Sequence, residues 1–115
     1  MNATVRFWRG NTRKYRNVPT TVDGVRLDSK REAQRYLELK MLLRTKKISA
    51  LEVHPRFSCV VRGLHVCDVI LDFSYWDVER GQQVIEDVKG HDTVLSRLKR
   101  KLVHACHGIN VEVIK

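Results

Sequence analysis

A chain of 115 residues with a 43% hydrophobic content can bury about 65% of the surface its unfolded form exposes, so one domain is expected, without need of disulfides or a structural metal. No run of about 18 apolar residues exists, and the opening "MNATVRFWRGNTRKYR" has no apolar signal core, which speaks against a membrane span or a secretory leader and makes the cytoplasm the expected location. Lys and Arg number 22 against 13 acids, a net charge of +9, as suits a polyanionic partner.

Residues 1 to 20 show no period and end in "NVPTT", so a basic arm or irregular lead-in is expected there. "TVDGVRL" predicts a tight hairpin, because Asp-Gly at 23 and 24 is a strong turn signal. A helix should open at "LDSKREAQRYLELKMLLRTKK", with Asp28 or Ser29 as cap and Ser29 and Glu32 forming a capping box. Its inward stripe is expected to hold Tyr36, Leu39 and Leu43, widened by Ala33, Leu37 and Met41. "ISALEVHPRF" then leads into a strand "RFSCVV", and "RGL" turns the chain into a second, "HVCDVILDFSYWD". In that strand Val69, Leu71, Phe73 and Tyr75 should share one face, with Ile70, Asp72 and Ser74 on the other. "ERGQ" turns again into "QVIEDVK". A second helix is predicted from about Thr93 to His107, with Leu95, Leu98, Leu102 and Ala105 inward and Gly108 as its stop. "INVEVI" alternates as a last strand. The expected fold is α/β: one domain over residues 21–115, a mixed central sheet flanked by helices, in helix-strand-strand-strand-helix-strand order.

The three cysteines, Cys59, Cys67 and Cys106, sit in apolar runs and read as reduced core residues. "HACH" puts His104, Cys106 and His107 within one helical turn, with no matching ligand pair at zinc-site spacing elsewhere.

Cations gather in two places. Arg13, Lys14 and Arg16 lie in the N-terminal segment near Trp8 and Tyr15, and Arg97, Lys99, Arg100 and Lys101 lie on the second helix. Each Lys or Arg set against a phosphate releases condensed counterions, so these are the candidate DNA contacts. The plain alternative is a solvated basic surface.

"QQVIEDVKGHD" places Glu86, Asp87 and Lys89 among β-branched apolar residues. Asp87 and Lys89 are two apart and share a face, whereas Glu86 takes the other. If the hairpin through Arg80 and Gly81 pairs the strands, Asp72 comes close to Asp87. Two carboxylates about 4 Å apart repel by roughly 4 kcal/mol at an effective dielectric near 20. A hard divalent cation relieves that repulsion, and an all-oxygen donor set favours Mg²⁺ over zinc.

Asp72, then Asp87-Val88-Lys89, then a basic helix, with Glu32 on the first helix, resembles the PD-(D/E)XK nuclease superfamily. More closely, "KYRNVPTTVDGVRLDSKREAQRYLELK" with "DFSYWD", "VIEDVKG" and "RLKRKL" is similar to a small phage-encoded family of undefined function within it. Leu71 stands where the superfamily name has proline. The resemblance implies a restriction-endonuclease-like core with the element order read above. It also implies that Asp72 and Asp87, helped by the Val88 carbonyl, hold Mg²⁺ (with Mn²⁺ as a substitute). Glu32 would complete the metal shell or bind a second ion, and Lys89 would orient or deprotonate the attacking water. Small members include junction resolvases that act as dimers. The implied activity is therefore a DNA endonuclease on branched DNA in phage recombination or packaging, a homodimer in the host cytoplasm. Two alternatives stand beside it: a non-catalytic basic DNA-binding module, and a nuclease subunit that needs a phage or host partner protein.

Overall fold

The computed structural model describes residues 18–115; most of the expected arm, with Arg13, Lys14 and Arg16, lies outside the described residues. The described residues open with a two-stranded ribbon, β1 (Thr20–Val22) and β2 (Val25–Leu27). Asp23 and Gly24 turn it with φ of 53° and 77°, the left-handed pair that a two-residue hairpin requires. Helix α1 follows (Lys30–Arg44), capped as the sequence predicts. The Ser29 hydroxyl accepts the Glu32 amide at 3.1 Å, and Glu32 Oε2 accepts the Asp28 amide at 2.6 Å. Ser29→Ala is expected to cost about 1 kcal/mol, read by circular dichroism as a fall of about 4 °C in the thermal midpoint. An unchanged midpoint would mean that the cap adds nothing.

Five strands, not three, separate the two helices: β3 (Ile48–Val53), β4 (Arg56–Val61), β5 (Leu64–Ile70), β6 (Phe73–Asp77) and β7 (Gln82–Val88). Helix α2 (Val94–His107) and β8 (Val111–Ile114) complete the chain. The additional strands have distinct causes. β3 carries a bulge between Ser49 and Glu52, with Ala50 at φ 53°, so its side chains do not alternate regularly. The long strand predicted from 65 to 77 is broken at Leu71 and Asp72, where the chain leaves one sheet and enters another.

The main sheet runs β3-β6-β7-β8, antiparallel except for the parallel β7–β8 pair; β4 and β5 form a separate ribbon. The described residues form a single α/β domain with a mixed sheet and two helices, and its two apolar clusters meet at β7, which contributes to both. Tyr36 and Leu39 of α1 pack with Phe73, Tyr75, Val84 and Val88. Val103 of α2 packs with Ile85, Val69, Leu71 and the ribbon cysteines Cys59 and Cys67. Val69 and Leu71 therefore do not share a face with Phe73 and Tyr75 as expected, because the break at 71 and 72 intervenes.

Both predicted helix stripes need correction at their edges. Leu37 and Met41 of α1 are exposed, as are Leu95, Leu98 and Ala105 of α2. Helix α2 turns Ser96 and Val103 inward instead, with Arg100 largely covered. Its ends match the prediction: Thr93 Oγ1 accepts the Ser96 amide, and Gly108 at φ 71° closes the helix by donating to the His104 carbonyl.

Cys59 and Cys67 are cross-strand partners in the ribbon and remain free thiols. Burial is the main cause that pushes the Cys59 thiol up to about 12, which keeps it protonated and inert. The "HACH" residues hold this ribbon to α2. The Cys106 thiol donates to the Val60 carbonyl, and a His107 ring nitrogen lies 2.7 Å from the Ser58 carbonyl. Among the described residues, no helix is long and apolar enough to cross a membrane.

Candidate active site

β7 is an inner strand covered on both sides, and its alternation sorts its charges. Val84, Glu86 and Val88 face α1, whereas Ile85 and Asp87 face α2. Register places Phe73 opposite Glu86, so Asp72 stands beside Asp87 one step along; the Asp72 amide donates to the Glu86 carbonyl at 3.1 Å. The hairpin pairing expected from sequence is therefore present, and it sets Asp72 at the break between β5 and β6.

Glu32, Asp72 and Asp87 are each only 5% exposed. Asp72 Oδ2 accepts the Val88 amide at 2.6 Å. Burial pushes the Asp72 carboxyl well above the usual carboxylate range; the Glu32 carboxyl at hydrogen-bonding range and the charge of Asp87 push the same way. Two carboxyl groups at that range cannot both stay ionised at ordinary cost: a proton must sit between them, or a cation must. Glu32 arrives here because it occupies the first turn of α1, where the capping box fixes its orientation.

The nearby cations converge on Asp87. Lys89 Nζ lies 3.5 Å from Asp87 Oδ1, and Arg100 donates to Asp87 Oδ2 at 3.2 Å. Arg100 also grips Asp92 through both carboxylate oxygens, at 3.0 and 2.7 Å, and this pairing is the main cause that lowers the Asp92 carboxyl. Asp92 is thereby part of the centre. Arg100 differs from the sequence expectation of a surface phosphate contact: its side chain is 13% exposed and is spent on internal acids. Arg97 and Lys101 are exposed on α2, and Lys99 is half-buried. Glu86, as expected, lies away from this centre, held by Arg35 and Tyr75.

Two further residues join the acids without having been singled out as ligands in the sequence. Asp28 and His54 bring their ligand atoms, with one of Glu32, to within 4.8 Å of one another. Asp28 reads from sequence as a helix cap alone. His54 follows β3 far along the chain, and no spacing motif links it to α1. The corner that positions it is also the one that positions Asp72. The His54 amide donates to the Asp72 carbonyl at 2.9 Å, and the Leu71 amide donates to the Pro55 carbonyl at 3.0 Å.

The result is an α/β domain with buried carboxylates and a lysine gathered where β6 begins and β7 ends, an acidic centre rimmed by cations. The chain belongs to the family described as "Protein of unknown function (DUF1064)", which matches residues 12–113. No curated protein and no solved structure matches it.

Proposed function

We propose that this chain is a Mg²⁺-dependent DNA endonuclease of PD-(D/E)XK type, acting on branched or otherwise structured DNA. The observation that carries the reading is the convergence of Glu32, Asp72, Asp87 and Lys89, four residues from three separate parts of the chain, in one largely buried acidic centre. The restriction-endonuclease-like core is part of this proposal. It is supported by a main sheet whose strands, leaving aside the β4–β5 ribbon, follow one helix in threes, with the last strand added in parallel after the second helix.

The donor set fits a divalent cation. Glu32, Asp72 and Asp87 offer hard oxygen atoms, and positive charge relieves the repulsion that adds to burial in raising Asp72. These three, with Val88 at the strand end, would hold it. A bound divalent ion supplies acidity to water and charge stabilisation to phosphate. The chain's own residues do the remainder. Lys89, 23% exposed on its side chain, reaches from the acids toward solvent, where it can orient water or meet a phosphate oxygen. Arg100 fixes the Asp87 rotamer. Arg97 and Lys101 lie outside on the same helix, as flanking phosphate contacts. Substrate geometry, a homodimer and a phage setting follow from the resemblance and are proposed with it.

A second reading has one observation in its favour. Lys89, Asp87, Arg100 and Asp92 form a continuous run of ion pairs, as a polar cluster kept for structure would, in a basic module that binds DNA without cutting it. Incubating the full chain with plasmid, single-stranded, flap and four-way-junction DNA, under Mg²⁺, Mn²⁺ or EDTA, separates the two. The nuclease reading expects metal-dependent cutting, strongest on the junction and lost in Lys89→Ala. Salt-sensitive binding without cleavage in any metal would leave the binding module.

A further inference from the structure

Asp28, Glu32 and His54 offer a carboxylate from the residue before the cap, a carboxylate from the first turn of α1, and an imidazole from the residue after β3. Their ligand atoms lie within 4.8 Å of one another. Opposite ligands around a first-row ion with bonds of about 2.1 Å stand roughly 4.2 Å apart, so closing on one ion needs only a small side-chain adjustment. We infer that these three residues form a second cation position, adjoining the one held by Glu32, Asp72 and Asp87 and sharing Glu32 with it. The imidazole makes this position selective for a transition ion such as Mn²⁺ over Mg²⁺.

The selectivity follows from donor chemistry. Magnesium keeps oxygen ligands and several waters, whereas imidazole nitrogen suits first-row transition ions. A mixed nitrogen and oxygen set beside an all-oxygen set gives two positions of different preference joined by one glutamate. The backbone holds His54 in place for this. It sits at φ 57°, a left-handed conformation uncommon for residues other than glycine, before a buried proline, with its amide tied to the Asp72 carbonyl. One corner therefore fixes both the imidazole and the Asp72 carboxyl. Strain of this kind persists only where the surroundings over-determine it.

The pairing of the two positions rests on the nuclease reading; the His54 position does not, and its test needs no DNA. The full chain is titrated with Mn²⁺, counting bound ions by the loss of the free-ion electron paramagnetic resonance signal. Electron spin echo modulation from ¹⁴N then reports imidazole coordination. Two Mn²⁺ per chain are expected, with ¹⁴N modulation, and a large Mg²⁺ excess should displace only the ion that shows none. His54→Asn, which tolerates positive φ, should keep the thermal midpoint within a few degrees, bind one Mn²⁺ and lose the modulation. Asp28→Asn should weaken the same site by at least tenfold. Modulation missing from the unsubstituted chain, or persisting in His54→Asn, overturns the inference. Two ions bound by a chain that cuts no DNA would sink the nuclease reading alone, and junction cutting by a chain with one nitrogen-free Mn²⁺ would sink this one alone.

Discussion

Asp72→Asn is expected to stabilise the metal-free chain while disabling the proposed DNA cleavage. In the folded chain the Asp72 carboxyl is raised, first by burial and then by Glu32 and Asp87. A raised carboxyl binds its proton more tightly folded than unfolded. Its stabilising share is thus complete below the unfolded value near 3.9 and is lost as pH rises through the higher folded value. At neutral pH the aspartate therefore costs stability. Asparagine removes the charge, keeps an oxygen for the Val88 amide and gives Glu32 a permanent donor. We expect a gain of about 2 kcal/mol, half of the bare repulsion of roughly 4 kcal/mol, or about 8 °C in the thermal midpoint. The same change should remove the rise in midpoint expected when Mg²⁺ is added to the unsubstituted chain. It should also slow junction cleavage by about 10³-fold, equivalent to about 4 kcal/mol. A metal-free midpoint that falls instead would show that the Asp72 carboxylate is a stabilising structural group, and the acidic centre would lose its motive for binding a cation.

The effects predicted for Asp72 trace back to features that sequence could and could not reveal. Asp72 beside Asp87 was legible because a strand has a period of two and the turn near Gly81 fixes the register. Glu32 was legible through its capping box, since the hydrogen bonds that start α1 are local. Other features depend on contacts between distant segments. The bulge at Ala50 hid β3, and the break at Leu71 and Asp72 looks, in one dimension, like uninterrupted alternation. Helix α2 has an apolar stripe at Leu95 and Leu98, yet the helix is rotated so that Arg100 reaches Asp87 and Asp92. Satisfying two acids outweighs covering two leucines, a balance visible only once β7 is in place. His54 had no local signal at all, because its neighbours in space come from α1 and from the β5–β6 break.

Glu86 is where the largest loss of stability is expected. It is 0% exposed, on an inner strand, one residue from the candidate site but on the opposite face. Arg35 meets it through Nε at 2.9 Å and Nη2 at 2.6 Å, and the Tyr75 hydroxyl donates at 2.5 Å. The Glu86 bond is the main cause that raises the Arg35 guanidinium. For Tyr75, burial raises the hydroxyl first and Glu86 second. Glu86→Ala leaves the buried Tyr75 phenol without its acceptor and Arg35 with Glu38 alone. Breaking a buried pair costs about 3–5 kcal/mol, and the lower end applies because Arg35 retains partial access to water. A fall of at least about 10 °C in the thermal midpoint is expected. Glu86→Leu combined with Arg35→Met and Tyr75→Phe should recover most of it, since replacing all the partners by apolar groups of similar volume is often close to neutral. The triple variant should also keep the proposed DNA cleavage per folded molecule, because none of the three residues faces Asp87. Recovered stability with lost cleavage would place Glu86 in the reaction, and the division of β7 into a structural face and a reactive face would have to be abandoned.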